Sequence, residues 1–455
     1  MKITEIAPSS FRDPSGFLFT RSGTLYRQIN KLYEKEYGHL MRSGLYESLT
    51  RDGFLIPHEE VSEPPAREDS AHIVIHPERI PFVSYPYEWC FGELKDAALL
   101  TLDVQKRALE HGMVLKDASA YNIQFRHGKP IFIDTLSFDF YKEGKPWEGY
   151  RQFCQHFLAP LALMVYTDVR LREFLRIYID GIPLDLARAL LPFSSIFRPS
   201  LLIHIIFHAK TQARFAGRET KDHSSRFMNR KTMLELADNL RSSVAALQWK
   251  FSRTEWGEYY RETNYSSGSF SEKAELVEKM TERADPKTLW DIGANTGVFS
   301  RIASKRGVYT ISIDSDPAAV EKNYQTRDNN TLPLVMDLTN PSPALGWDHR
   351  ERLSLKDRGP ADMVLALALI HHLVISNNLP FSAVARFLAD ICKTLVIEFV
   401  PKSDSNTRRL LKSRKDIFPE YTKRHFEEAF SMLFVIKESV PISGSERVLY
   451  YMEKR

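Results

Sequence analysis

Thr288-Leu-Trp-Asp-Ile-Gly-Ala-Asn-Thr-Gly297 sets a short apolar run directly before a turn that holds two glycines. The run has the length and residue types of a buried strand. Gly293 and Gly297 let the backbone turn sharply and approach a ligand closely, and Asn295 is among the few side-chain-bearing residues that tolerate the left-handed conformation. A helix is predicted to begin at Val298, its first N–H groups open to an anionic group. An acid about 20 residues beyond the first glycine suits the hydroxyls of a ribose. Asp314 stands there, at the end of the next apolar run.

Outward from this turn, short apolar runs alternate with helix-forming stretches, as in a doubly wound α/β sheet. Strands are expected at Thr288–Ile292, Thr310–Asp314, Leu332–Leu338, Met363–Leu369 and Leu395–Val400. Two more, Phe434–Val440 and Val448–Met452, are joined by Pro441–Arg447, which suits a hairpin better than a helical crossover. Ahead of the first strand, Ser269 and Glu272 have capping-box spacing. The helix they would open carries Ala274, Leu276, Val277 and Met280 as an apolar stripe and stops at Asp285-Pro286.

The residues of the turn also discriminate between nucleotides. A dinucleotide fingerprint read from Gly293 requires Gly at 295 and Gly or Ala at 298, where this chain has Asn295 and Val298. Asp291 suits an ammonium group and would repel a pyrophosphate, so the ligand expected is a nucleoside with an amino-acid head. Asp291, Gly293, Asn295 and Gly297 resemble the first motif of class I S-adenosylmethionine-dependent methyltransferases. In that resemblance Asp314 matches the ribose acid after the second strand, and Asp337 the acid after the third that meets the adenine amino group. The resemblance covers about residues 264–455 and implies a seven-stranded Rossmann-like methyltransferase sheet, with S-adenosylmethionine as cofactor. The strings Asp337–Pro343 and Leu367–Leu373 are also similar to those of long bacterial methyltransferases, some linked to nodulation host specificity.

Methyl transfer needs alignment and, for a hydroxyl acceptor, removal of a proton. His371 and His372, at the mouth of the fourth strand, are the candidate bases, because an imidazole titrates near neutral pH; a packing role is the alternative for each. Asn340-Pro341-Ser342-Pro343 does not match the Asn-Pro-Pro-Tyr motif of amino-directed nucleic-acid enzymes, since it follows the third strand and lacks the stacking aromatic. Cys392 has no preceding proline, so base methylation through a cysteine adduct is unsupported. Oxygen or nitrogen acceptors remain: a small molecule, glycan or protein. Glu398 could orient an acceptor or pair with a neighbouring loop. Tyr265 could cover the cofactor or pack at the surface. Arg408, Arg409, Lys412, Arg414 and Lys415 crowd one predicted helix, for which a solvated basic face is the simpler reading.

The first half is predicted to form an α+β domain. A hairpin is expected at Phe17–Phe19 and Thr24–Ile29, a loop at Glu59–Asp69 and a helix at Leu94–His111. Short strands around a turn are expected at Val114–Asp117 and Ile131–Asp134, and helix from Trp147 to about residue 210. Trp147, Tyr150, Phe153 and Phe157 fall at helical spacing as core residues. Lys116-Asp117-Ala-Ser-Ala-Tyr-Asn122 is similar to the protein-kinase catalytic loop, with Asp134 at the place of a magnesium ligand. The resemblance is partial: Leu115-Lys116 replaces His-Arg, Thr135-Leu136 replaces Phe-Gly, and the Val-Ala-Ile-Lys strand and G-x-G-x-x-G loop are missing. It implies a kinase-like fold that presents or recognises substrate; the alternative is an unrelated domain in which Asp117 and Asn122 cap a turn between two strands. The alternatives to a methyltransferase are a bifunctional or kinase-like phosphotransferase and a non-catalytic cofactor-sensing scaffold.

Composition agrees with an ordinary globular chain of two or three cores. There are 455 residues, 43% hydrophobic and 26% charged, with a formal net charge of +4. So weak a net charge gives no support for a nucleic-acid partner. Cys90, Cys154 and Cys392 lie far apart and fit buried thiols in a reducing compartment, without a metal site. No signal peptide is visible, and the apolar windows Leu158–Tyr166 and Leu201–Phe207 are too short to span a membrane, so a cytoplasmic protein is expected. The border between domains is expected within residues 215–262, giving an N-terminal recognition or kinase-like domain at 1–245 and a methyltransferase domain at 246–455.

Overall fold

The computed structural model describes residues 4–194, 204–205, 228–250, 267–412 and 415–455. Tyr265, Arg414, most of the Leu201–Phe207 window and most of the expected border region lie outside them. The chain divides into two compact units: Met1–Lys250 with Leu345–Arg352, and Phe251–Ala344 with Leu353–Arg455.

The first unit opens on five antiparallel strands, β1 (Thr4–Ile6), β2 (Gly16–Arg21), β3 (Thr24–Asn30), β4 (His58–Val61) and β5 (Ala71–Pro77), in the order β1-β2-β3-β5-β4. The β2–β3 hairpin is the expected one. β4 takes up the start of the stretch read as a loop; with two glutamates and a histidine in four residues it is an edge strand with no alternation to reveal it. The long helix Phe91–Glu110 is held at its start by Glu93, whose carboxylate accepts the Cys90 N–H at 2.8 Å. Helix Arg230–Ala246 packs along it, tied by Arg241 to Asp103 at 2.8 Å. Beyond the long helix come β6 (Met113–Leu115), β7 (Ile123–Arg126), β8 (Lys129–Phe132) and β9 (Phe138–Phe140). The expected pairing around a turn is corrected here: β6 pairs with β9, and β7 with β8. Trp147, Phe153 and Phe157 are buried, as their spacing indicated.

The second unit is a seven-stranded sheet of β10 (Thr288–Ile292), β11 (Tyr309–Asp314), β12 (Thr331–Val335), β13 (Ala361–Ala366), β14 (Cys392–Phe399), β15 (Phe434–Pro441) and β16 (Val448–Lys454). Its order is β12-β11-β10-β13-β14-β16-β15, so numbering within this sheet runs third, second, first, fourth, fifth, seventh, sixth. The first five strands are parallel and β16 is antiparallel to both neighbours. This is the doubly wound architecture that the resemblance implies. The strand order reverses on either side of β10, which makes the carboxyl end of β10 the topological switch point where such sheets bind ligands.

Helix Ser267–Ala284 buries Val277 and Met280 against Leu289, Phe299, Met363, Leu365, Val396 and Tyr451. On helices Phe381–Ile391 and Lys423–Ser431, Phe381 stacks on Tyr421 and meets Phe426 edge-on, while Phe426 packs against Phe399. Ser267 is already helical, so Ser269 lies inside the entry helix and does not cap it. Ser269 instead donates to the Ser443 carbonyl at 2.7 Å, while Glu272 accepts from the Ser443 N–H and hydroxyl, each at 2.8 Å. All three cysteines are free and buried. Among the described residues no helix is long and apolar enough to cross a membrane.

Candidate functional site

The turn after β10 has the expected strained geometry. Gly293, Asn295 and Gly297 adopt φ of +79°, +52° and +73°. The N–H groups of Gly293 and Ala294 both reach the Ile313 carbonyl, at 2.8 and 2.9 Å, stitching the turn to the end of β11. A Cβ on Gly293 would stand 3.3 Å from Leu369, and one on Gly297 would overlap the Asn323 carboxamide. The helix expected at Val298 is shorter and later than the sequence indicated. Turns run through residue 299, and a five-residue helix spans Ser300–Ser304. Ser300 reaches back to Asp291, donating its hydroxyl to Oδ2 at 2.6 Å.

The turn forms one wall of a cavity of about 320 Å³. Asp291 lines it from β10, Asp314 from the end of β11 and Asp337 from the segment after β12, with Gly293 and Asn295 beside them. Gly297 does not line the cavity; it packs against Asn323 below the turn. β12 ends at Val335, three residues short of the expected limit, so Met336–Thr339 leave the sheet and face the cavity. β13 likewise ends at Ala366 and frees Leu367–Leu369 to form the opposite wall.

Asp314 is fixed by two backbone amides: Asn295 N donates to Oδ2 at 2.7 Å and Asp316 N to Oδ1 at 2.9 Å. Burial nevertheless pushes its carboxyl up to about 6, against the lowering effect of those amides. Burial likewise raises Asp291 to about 6; Ser300 opposes the shift and Asp314 reinforces it. Two acids in one enclosure therefore resist ionisation, and a bound cation would relieve them.

The two candidate imidazoles separate. His372 lines the cavity and His371 does not. His371 is 1% exposed, and neither of its ring nitrogens has a hydrogen-bond partner. The rings lie 4.2 Å apart, centre to centre. Burial lowers His372 to about 4, helped by Arg447, and lowers His371 well below the ordinary range. Both are neutral at pH 7.

The sequence left Glu398 unassigned and gave no attention to Lys273 or Arg447. Glu398, fully buried on β14, accepts from Lys273 Nζ at 2.6 Å and from Arg447 Nη1 at 3.3 Å. Lys273, Phe270, Ser376 and Asn377 also line the cavity. The signal for Lys273 was its place in the helix stripe: it sits between Phe270 and Val277 on the buried face, where an unpartnered lysine is not tolerated.

In the first unit Asp117 accepts from Ser119 N at 2.9 Å, and burial raises its carboxyl. Asp134 pairs with Arg27 and accepts from the Ser137 hydroxyl, to which Asn122 Nδ2 also donates, at 3.1 Å. A guanidinium thus neutralises the acid that stands at the place of a magnesium ligand. Among the described residues no group of three or more His, Cys, Asp or Glu side chains could hold a metal ion.

No protein-family model matches the chain. Among solved structures, magnesium protoporphyrin IX methyltransferase (ChlM) from Synechocystis PCC 6803, with bound SAH, aligns at TM-score 0.32 and 18% identity, over 44% of this chain and 93% of that one. The N-methyltransferase NodS from Bradyrhizobium japonicum WM9 aligns at TM-score 0.31 and 13% identity, over 42% of this chain and 98% of that one. WbdD aligns at TM-score 0.30 and 13% identity, over 43% and 42%. A full-length likeness comes from nodulation protein NoeA of Rhizobium meliloti (strain 1021), 35% identical over 459 residues, 98% of this chain and 95% of the relative. At that identity and extent, the chain belongs to the family of nodulation protein NoeA.

Proposed function

We propose that this protein is an S-adenosylmethionine-dependent methyltransferase acting on an oxygen or nitrogen acceptor. One observation carries the reading: Asp291 and Asp314, near the ends of strands 1 and 2, and Asp337, just beyond the end of strand 3, converge on one cavity at the switch point of the sheet. The donor set fits the cofactor. Asp291 suits the ammonium of its amino-acid head, Asp314 the ribose hydroxyls and Asp337 the adenine amino group, and the glycine wall admits a ligand close to the backbone. When bound, S-adenosylmethionine supplies a methyl group on a positively charged sulfur.

This chain's own groups would then bind, orient and deprotonate. Leu367, Leu369 and Leu373 supply apolar wall around the reacting centre, and Ser376 and Asn377 offer polar atoms to the acceptor. His372, neutral and on the cavity, would take a hydrogen bond from the acceptor O–H or N–H and receive its proton. His371 packs behind it and acts through it. The acceptor is a small molecule, a glycan or a protein side chain.

Calorimetric titration of the full chain with S-adenosylmethionine tests the reading. Asp314→Ala and Gly293→Arg should each weaken binding at least tenfold. Wild-type affinity in both folded variants would remove the assignment. Transfer of radiolabel from the cofactor into fractionated cell extract would then identify the acceptor, and His372→Ala should abolish that transfer while leaving cofactor affinity within a few fold.

A further inference from the structure

Glu398 makes no lining contact with the cavity, yet it holds two groups that do. Its Oε2 accepts from Lys273 Nζ at 2.6 Å and from the Ala368 N–H at 2.8 Å, and its Oε1 accepts from Arg447 at 3.3 Å. Arg447 extends the cluster to Asp404, at 2.8 and 3.1 Å. Ala368 sits at φ +49°, a conformation an alanine holds only when its surroundings impose it. Two cations and two acids therefore balance: Lys273 and Arg447 against Glu398 and Asp404. Asp291 stands outside that balance. Its hydrogen-bond partner is Ser300, through both hydroxyl and backbone, and among the described residues no ion pair joins it. Lys273 and Asp291 line the same cavity and act on one another electrostatically. In so enclosed a site the lysine is a ready competitor for the place of a bound ammonium.

We propose that Glu398 is a positioning residue that detains the Lys273 ammonium, so that Asp291 stays open to the cationic head of the methyl donor, and that pins the Ala368 turn forming the facing wall. The proposal rests on the donor reading above. Nothing is transferred at Glu398; it acts through the two lining groups that it holds.

Glu398→Gln tests it, because the amide oxygen can still accept the Ala368 N–H while the charge is gone. Lys273 then turns to Asp291, and the affinity for S-adenosylmethionine should fall at least tenfold in calorimetry. Adding Lys273→Met to Glu398→Gln removes the competitor and should bring the affinity back to within about threefold of wild type. A purely structural role would not be reversed by a second buried substitution. Failure of the double variant to recover, or wild-type affinity in Glu398→Gln, overturns the proposal. Carbon-detected NMR titration of the Asp291 carboxyl gives a readout that needs no donor. Its pKa should drop by at least one unit in Glu398→Gln, and an unchanged value sinks the proposal even if the wild type binds no S-adenosylmethionine.

Discussion

A methyl group added at Gly297 would meet an Asn323 carboxamide that has nowhere to go. Asn323 Nδ2 donates to Ser312 Oγ at 2.7 Å and its Oδ1 accepts from Arg301 at 3.1 Å, in a buried setting. With φ of +73° besides, Gly297→Ala should lose about 2–4 kcal/mol of stability. Chemical denaturation measures it, and a loss below 1 kcal/mol would mean that the turn relaxes. Protonation of Asp291 and Asp314 has opposite effects on binding and on folding. Both carboxyls are raised by burial to about 6, from 3.8, so the folded protein holds those protons more tightly than the unfolded chain. Their contribution to stability is full below the unfolded value and lost as pH rises through about 6. The donor needs them ionised, so its affinity should fall roughly tenfold per pH unit per carboxylate on acidification below 6. Calorimetry from pH 8 to 5 checks this, and a flat profile would exclude both acids from binding. Much of this site was legible in the sequence because an acid, a glycine and an asparagine at fixed spacing define a backbone path. The Lys273–Glu398–Arg447 cluster was not, because its members lie on a helix, a strand and a hairpin connection, 49 to 174 residues apart, that only the folded sheet brings together.

Parallel strands buried on both faces announce themselves as apolar runs, and all seven strands of the second unit fall where those runs lie, with shifts of a few residues at their ends. The strand ends were less readable. Met336, Leu338 and Leu367–Leu369 are as apolar as strand residues but line a cavity, and composition does not distinguish a pleated neighbour from a ligand wall. Ser269 and Glu272 show a local motif overridden by tertiary contacts: the spacing suits a cap, but both side chains clamp the β15–β16 connection. Glu272→Ala should therefore cost about 0.5–1.5 kcal/mol through loss of the Ser443 contacts. Its far-ultraviolet circular dichroism should match wild type. Lowered helix content in the folded variant would restore the capping role. In the first unit β1, β4, β5, β7 and β9 were missed; for all but the seven-residue β5 the reason is that three- and four-residue segments carry too little periodicity.

At the scale of the whole molecule, Leu345–Arg352 lies in sequence between two strands of the second unit but belongs with the first. Within the first unit Glu351, whose side chain is 1% exposed, receives Arg12 Nε at 2.9 Å and Nη2 at 2.7 Å and accepts the Trp347 N–H at 2.7 Å. Arg352 lies 3.9 Å from the centre of the Tyr121 ring, in the Asp117–Asn122 loop. The first unit thus includes eight residues from the far half of the chain. Bidentate pairing to a buried carboxylate is worth more than an exposed ion pair, though the 56% exposure of Arg12 limits it. A double-mutant cycle of Arg12→Ala and Glu351→Gln should give a coupling of about 1 kcal/mol at pH 7. Arg12 holds the Glu351 carboxyl below its ordinary 4.5, so the coupling is present above that pH and lost as pH falls through the lower folded value. Glu351→Gln keeps an acceptor for the Trp347 N–H, which confines the cycle to the charged pair. No coupling at pH 7 would show that packing and not this ion pair secures the inserted segment.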